Sequence, residues 1–96
     1  MADVRRIVID VLKPHEPSLL QFTQDVSAAE GVEAVTTSLV ELDSEVQNIK
    51  ITAEGEALEY SRLEAAVTDA GGTVHSVDQV SCGSYVVQEQ RTLQDR

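Results

Sequence analysis

The stretch from Ile7 to Pro17, IVIDVLKPHEP, joins an apolar strand to a turn with two prolines, and it decides the fold. Its alternate apolar residues share one face of a strand, because successive side chains of a strand point to opposite faces: Ile7, Ile9 and Val11. Lys13 precedes a proline, which disfavours helical backbone there and ends the strand. We therefore predict a first strand over Val4 to Leu12, followed by a turn and a helix.

The first helix is indicated by apolar residues that recur at spacings of three and four, as on a core-facing helical stripe: Leu19, Phe22, Val26 and Ala29. Pro17 is expected to be the first helical residue, where the missing N–H of proline is harmless. Gly31 is expected to cap the C-terminus.

Two further strands follow, and the polar turn Asp43-Ser44-Glu45 separates them. Val32 to Leu42 is rich in valine and threonine, but its alternation changes parity near Leu39–Val40, which predicts a bulge there or a strand covered on both faces. Val46 to Ala53 alternates cleanly, with Asn48 and Lys50 pointing away from the core. Two strands joined by a short polar turn are typical of a hairpin.

The last part of the chain predicts a second helix and a fourth strand. The second helical stripe consists of Tyr60, Leu63, Ala66, Val67 and Ala70. Gly71-Gly72 ends that helix, and Thr73 to about Val87 forms the strand. The remaining residues, 88–96, are a polar tail that we expect to be mobile unless a neighbouring subunit holds it.

The predicted order is β-α-β-β-α-β, which defines an α+β fold. Two right-handed crossovers in a split arrangement give a ferredoxin-like sandwich, with an antiparallel sheet in the order 4-1-3-2 and both helices on one face. We expect a single domain over residues 1–87, with the first strand near the centre of the sheet.

The charge balance separates the classes of partner that this chain could have. Its 96 residues include 17 acids and 7 basic residues, two of them lysines, for a net charge of −10. This charge repels phosphate, which argues against a nucleic-acid partner. Acid-rich, lysine-poor surfaces suit a salty cytoplasm, where a Debye length of about 3 Å at 1 M salt screens self-repulsion. We therefore favour a halophile's protein over a merely acidic mesophilic one.

Other features of the composition point to a cytoplasmic protein without a membrane segment. No apolar run approaches the roughly 20 residues that span a bilayer. The N-terminus carries no apolar segment followed by a cleavage site, so we expect no signal peptide. The lone Cys82 can form no internal disulfide and no cysteine-rich metal site.

One edge of the predicted sheet is a candidate metal site. The first strand ends there, the fourth begins there, and the turn between the second and third strands projects there. This brings two imidazoles and two carboxylates to one edge, ligand types that suit zinc or another divalent ion: His15, His75, Asp43 and Glu45. The alternative is that His15 is an exposed turn residue and His75 a half-buried strand residue bonded to backbone.

Asp10 is a second candidate, because it lies within the strand on the face opposite the core stripe. Burying its charge would require a cation, either Lys50 on the adjacent third strand or a bound ion; otherwise it is an ordinary solvated or salt-bridged residue. Asp78 shares its parity with Ser76, and the alternation does not decide which face they occupy. Lys13 and Glu16 are predicted to be solvated turn residues.

Several activities lack support in the sequence. It contains no CxxC pair for copper transfer, no glycine-rich phosphate loop, and no Ser/His/acid set at a readable spacing. RNA binding on such a sheet uses exposed aromatic residues, and only Tyr85 lies outside the helical stripes. We therefore expect no enzymatic activity, and the divalent metal ion considered above is the one cofactor that the sequence suggests.

The segments IVIDVLKPHEP, NIKIT and GGTVHSVD together resemble the uncharacterised archaeal family "domain of unknown function 211", in register from about Ile7 to Gly83. The resemblance implies a ferredoxin-like fold, an archaeal cytosolic origin and homo-oligomers, as rings, but no activity. Its recurring polar positions fall on Asp10, Lys13, His15, Asn48, His75, Ser76 and Asp78. Outside the metal set, the candidate cofactor-binding residues are thus Asp10, Lys13, Asn48, Ser76 and Asp78.

Three functions remain open on these grounds. The first is a homo-oligomeric module that binds a divalent metal or a small polar ligand. The second is a regulatory domain that senses a small metabolite between subunits, and the third is a structural assembly protein without a ligand. Self-association has a physical reason, since Val8, Val40 and Val77 would otherwise expose apolar area on the open face or edge of the sheet.

Overall fold

The computed structural model describes residues 2–87. Its elements are β1 (Val4–Pro14), α1 (Leu19–Ser27), β2 (Ala34–Leu42), β3 (Val46–Glu54), α2 (Tyr60–Asp69) and β4 (Thr73–Cys82). The strands form one sheet in the order β2-β3-β1-β4, with all neighbours antiparallel. This is the predicted α+β architecture with the predicted order read from the other side, and it is consistent with a ferredoxin-like arrangement.

A single hydrophobic core lies between the helices and one face of the sheet, the covered face. It contains Phe22 and Val26 from α1 and Leu63 and Val67 from α2. The sheet contributes alternate residues of its two central strands: Ile7, Ile9, Val11, Ile49, Ile51 and Ala53. Because both helices reach the same cluster, both lie on the covered face. Within residues 2–87 the opposite face of the sheet, the open face, carries no helix.

The turn into the first helix differs from the prediction. α1 begins at Leu19, not at Pro17, because Ser18 is the N-cap and its side chain accepts a hydrogen bond from the Gln21 backbone N–H. A serine in this position satisfies one of the free N–H groups of the first turn, which a proline cannot do. Pro17 lies before the cap and follows a cis peptide bond.

The second strand contains the predicted bulge. The pairing of β2 with β3 shifts register between Leu39 and Glu41, which leaves Val40 without an opposite residue. The bulge explains the change of parity in the sequence, and the hairpin over the Asp43 turn is confirmed.

The fourth strand has irregularities that its sequence did not reveal. Its pairing with β1 shifts at three points, so Val74, Val77 and Val80 all lie opposite covered-face residues of β1 although they are three positions apart. The strand ends at Cys82 rather than near Val87, because Gly83 has φ +126° and its N–H turns back to donate to the Asp3 carbonyl.

The sheet has two ends, and one of them gathers most of the candidate residues. At one end of the strands, which we call the upper edge, β1 ends, β4 begins and the β2–β3 turn lies.

Within residues 2–87 no helix is long and apolar enough to cross a membrane. The predicted polar tail, 88–96, lies outside the described residues.

Candidate functional site

The open face of the sheet carries a polar row that crosses all four strands. The central row contains Ser38, Lys50, Asp10 and Ser76, each opposite the next in the strand pairing. The next open-face residue of β3 toward the upper edge is Asn48. It lies opposite Leu12 of β1 on one side and Glu41 of β2 on the other. Four of the five predicted cofactor-binding residues are therefore brought to one face or its margin: Asp10, Asn48, Ser76 and Asp78.

Asp10 is at the centre of this polar patch, by which we mean the central row together with Asn48. It is half-buried, and its strand neighbours are Lys50 on one side and Ser76 on the other. The predicted neighbour Lys50 is thus confirmed in register, but the described residues contain no ion pair between the two side chains. Asp78 is the bulged residue beside the patch, and its carboxylate accepts a hydrogen bond of 2.7 Å from the Ser76 hydroxyl.

Asn48 carries the unusual feature of the patch. Its side-chain oxygen is shielded from solvent and has no hydrogen-bond partner in the described part of the chain. A buried polar atom without a partner costs about 1–3 kcal/mol, and most such atoms in folded proteins do find one. The Asn48 oxygen can only accept, so a group that satisfies it must be a hydrogen-bond donor or a cation.

Lys13 behaves differently from the prediction of a solvated turn residue, which is wrong. It continues the covered-face parity of β1 and is 0% exposed. Its ammonium donates to the Pro14 carbonyl at 2.7 Å and to the Gln47 side-chain oxygen at 3.0 Å, with a longer contact to the His15 carbonyl. Burial lowers the pKa of Lys13, and the negative charge of Glu16 partly opposes this. The side chain is an internal cation that holds the proline turn.

His15 links the same turn to the β2–β3 hairpin. Its Nε2 lies 2.9 Å from the Asp43 carbonyl oxygen, and because a carbonyl can only accept, that nitrogen donates. The Asp43 carboxylate in turn accepts from the backbone N–H groups of Val46 and Glu45, each at 2.8 Å. These two bonds, with a smaller contribution from His15, lower the pKa of Asp43.

The four predicted metal ligands do not meet as a cluster. Among residues 2–87 no group of three or more His, Cys, Asp and Glu side chains is placed to hold a metal ion. His15 and Asp43 do lie together, but one uses a ring nitrogen and the other a carboxylate oxygen for backbone bonds. His75 is an exposed residue at a bulge of β4, and Glu45 is exposed in the hairpin turn.

Two cavities lie away from the polar patch. One of about 190 Å³ is at the lower edge, lined by Arg5, Glu33, Glu54, Gly55, Glu56, Tyr85 and Val86. The other, of about 280 Å³, lies against the helices and is lined by Asp25, Ala28, Ala29, Ala66, Asp69 and Ala70. Neither contains a residue of the patch. The patch is a sheet surface rather than one of these hollows.

Sequence reasoning missed Gln47, which supplies the side-chain acceptor for Lys13. The signal was present in the alternation of β3, since Gln47 has the parity of Ile49 and Ile51 and so lies on the covered face. Deriving the contact also required the register that pairs Gln47 with Lys13. Val8 was likewise misjudged, because it is buried although it lies on the open face.

The fold and the patch define a class of protein: a small α+β chain with a core on one face of its sheet and a polar patch on the other. The chain matches the family described as DUF211, "Uncharacterized ArCR", over residues 5–96, and it belongs to that family. It is similar to "Uncharacterized protein MJ0319" of Methanocaldococcus jannaschii, with 38% identity over 96 residues that cover 100% of this chain and 99% of the relative.

Proposed function

We propose that this protein is a homo-oligomeric binding module that holds a small polar ligand on the open face of its sheet. The observation that carries the proposal is the orphaned oxygen of Asn48 beside Asp10. The Asp10 carboxylate and the Ser76 hydroxyl supply acceptors on this face, and the shielded Asn48 oxygen joins them when a ligand displaces the side chains that cover it. Its ligand is accordingly a molecule that donates hydrogen bonds through hydroxyl or ammonium groups.

Self-association fits the geometry of this patch. The central row runs from the edge strand β2 to the edge strand β4, so it ends at Ser38 on one side and at Ser76 on the other. A flat surface buries little of a small ligand, whereas ligand sites normally bury most of it. A neighbouring copy at the side of the sheet adds a second surface next to the patch, and a ring of copies is the closed form of such an arrangement.

The cellular setting belongs to the same proposal. A net charge of −10 with two lysines in 96 residues suits a cytoplasm of high ionic strength, as in a halophilic archaeon. A melting series against KCl tests this. The melting temperature should rise with salt, and a fold that is fully stable without salt contradicts the halophilic assignment.

The binding function is tested by amide NMR titration in high KCl with three separate probes: L-serine, glycerol and zinc chloride. We expect L-serine or glycerol to shift the amides of Asp10, Asn48 and Ser76, and Asn48→Leu to remove the shifts. Thr36→Ala is the matched control, because it removes a hydroxyl from the same face of β2 one row below the patch and should keep the shifts.

The other candidate functions are outcomes of the same titration. Shifts confined to His15 and His75 with zinc alone would replace the proposal with a metal-binding module. Binding that appears only in the assembled form, at a boundary between subunits, would favour a regulatory sensor. No shift with any probe, together with a large stable assembly, would leave a structural protein.

A further inference from the structure

The covered face of the sheet exposes apolar side chains at both of its flanks, beyond the reach of the helices. On β2 these are Leu39 and Leu42, which are 48% and 56% exposed, and we call them the β2 flank. On β4 they are Val77 and Val80, which are 47% and 53% exposed, and we call them the β4 flank. A soluble chain that exposes apolar residues along both edges has surfaces fit for a partner.

We propose that the β2 flank of one copy packs against the β4 flank of the next, in a head-to-tail contact. The inference rests on the self-association in the proposed function and names the surfaces that meet. Three properties of the fold support it: the direction of the edge strands, the position of the apolar residues along them, and the distribution of charge.

The strand directions permit this contact. β2 runs antiparallel to β3 and therefore parallel to β1, whereas β4 runs antiparallel to β1. The two edge strands of one copy thus point in opposite directions. A second copy placed alongside in the same orientation brings its β4 antiparallel to the first copy's β2, which is the relation between all neighbouring strands within the sheet.

The apolar residues match when the second copy is staggered. In the covered-face rows, Leu42 and Leu39 occupy the two upper levels, those of Gln47 and Ile49 on β3. Val77 and Val80 occupy the next two levels down, those of Ile9 and Ile7 on β1. A stagger of two rows, roughly 14 Å at the usual rise per residue, sets Leu42 against Val77 and Leu39 against Val80.

Charge favours these flanks over the rest of the surface. Two copies of a chain with net charge −10 repel each other. β2 carries one charged residue, Glu41, and β4 carries one acid, Asp78, and both lie off the apolar flanks. Contact through the flanks therefore brings little like charge together, and high salt screens the remainder.

The bulges decide the nature of the contact. Both edge strands are irregular, at Val40 in β2 and at the register shifts of β4, and bulges restrict edge-to-edge backbone pairing. The contact is therefore made chiefly by side chains. Substitution of the flank residues should break it without disturbing the sheet, since each is about half exposed.

A mixing experiment tests the head-to-tail contact. Leu42→Glu damages only the β2 flank, and Val80→Glu damages only the β4 flank. Light scattering in high KCl should give an assembly for the wild type, a monomer for each variant alone, and a complex of twice the monomer mass when the two variants are mixed. The mixture recovers because each variant keeps the flank that the other lacks. Ala65→Glu, with the same added charge on the exposed surface of α2, should assemble like the wild type.

Other results would overturn the inference. A monomeric wild type removes the contact altogether. If one variant alone still forms dimers while the other does not, or if the mixture stays monomeric, the contact joins like flanks or lies elsewhere. Circular dichroism verifies folding, and Leu42→Ser and Val80→Ser replace any variant that does not fold. The flank variants retain Asp10 and Asn48, so loss of assembly and loss of ligand shifts are read separately.

Discussion

The two lysines of this chain lie on opposite faces of the same sheet, and their surroundings differ completely. Lys13, on the covered face, is fully buried, and every acceptor of its ammonium is an oxygen of its own chain. Lys50, on the open face, is exposed and forms no ion pair with Asp10 opposite it. The ammonium on the covered face is thus satisfied internally, whereas the open face keeps the Asn48 oxygen without a hydrogen-bond partner in the described residues.

The two faces therefore contribute differently to stability. A buried ammonium without acceptors would be very unfavourable, so the residues around Lys13 must hold their geometry for the turn to form at all. The open face is under no such constraint, since the Asn48 oxygen stays without a hydrogen-bond partner in the described residues. A buried acceptor of this kind calls for a specific explanation, and the proposed ligand site supplies one.

The largest expected effect is that of Lys13→Met. The substitution removes an internal cation and leaves the Pro14 carbonyl and the Gln47 side-chain oxygen without their donor. We expect a loss of about 2–3 kcal/mol in the free energy of unfolding, measured by urea denaturation in high KCl. Lys50→Met is the matched control and should change stability by no more than about 0.5 kcal/mol. Equal effects of the two would contradict the contrast between the faces.

How far the sequence predicts this fold depends on whether a feature is set by local residues or by contacts between distant strands. Element order, sheet order and the bulge in β2 were predictable, because they depend on apolar periodicity and turn residues that act locally. The burial of Lys13 was not, because a lysine beside a proline is typical of a solvated turn, and only the pairing with Gln47 reveals its acceptors. The faces of β4 were undecidable for a similar reason, since its bulges break the alternation that a reader of sequence must assume.

The candidate site was predicted unevenly. Asp10 and its neighbour Lys50 follow from strand parity and sheet order, and the structure confirms their register. The lack of a partner for Asn48 could not be foreseen, because hydrogen bonding depends on side-chain positions. The approach of His15 to the hairpin was predicted from topology, but its bond to the Asp43 carbonyl rather than to a metal depends on turn geometry.

Adjacent residues of β3 give a smaller effect that sharpens the comparison. Gln47 faces the covered side and accepts from Lys13, whereas Asn48 faces the open side and its oxygen has no partner in the described residues. Gln47→Met should destabilise the fold by about 1–2 kcal/mol, because the buried ammonium loses an acceptor. Asn48→Leu should be neutral or stabilising by up to about 1 kcal/mol, because leucine has a shape similar to asparagine and carries no unsatisfied polar group.

Urea denaturation of the two variants, without ligand and at one salt concentration, makes this comparison. If Asn48→Leu destabilised the fold as much as Gln47→Met, the Asn48 oxygen would have a structural partner. The assignment of the open face to binding would then lose its main support.

The smallest effect concerns the upper edge and depends on pH. Hydrogen bonds from the Val46 and Glu45 backbone lower the pKa of Asp43 below its ordinary value of 3.8. The carboxylate therefore contributes stability that is fully present above that pH and is lost as the pH falls through the lower, folded-state pKa.

In Asp43→Asn the amide oxygen can still accept the two backbone bonds, but the side chain no longer titrates. The stability difference between the wild type and Asp43→Asn, followed by denaturation from neutral to acid pH, should therefore shrink toward zero in acid. Asp43→Ala, which loses the acceptor itself, should be less stable than Asp43→Asn at every pH. An equal difference at all pH values would show that the turn does not depend on the charge of Asp43, and that its link to His15 rests on the backbone carbonyl alone.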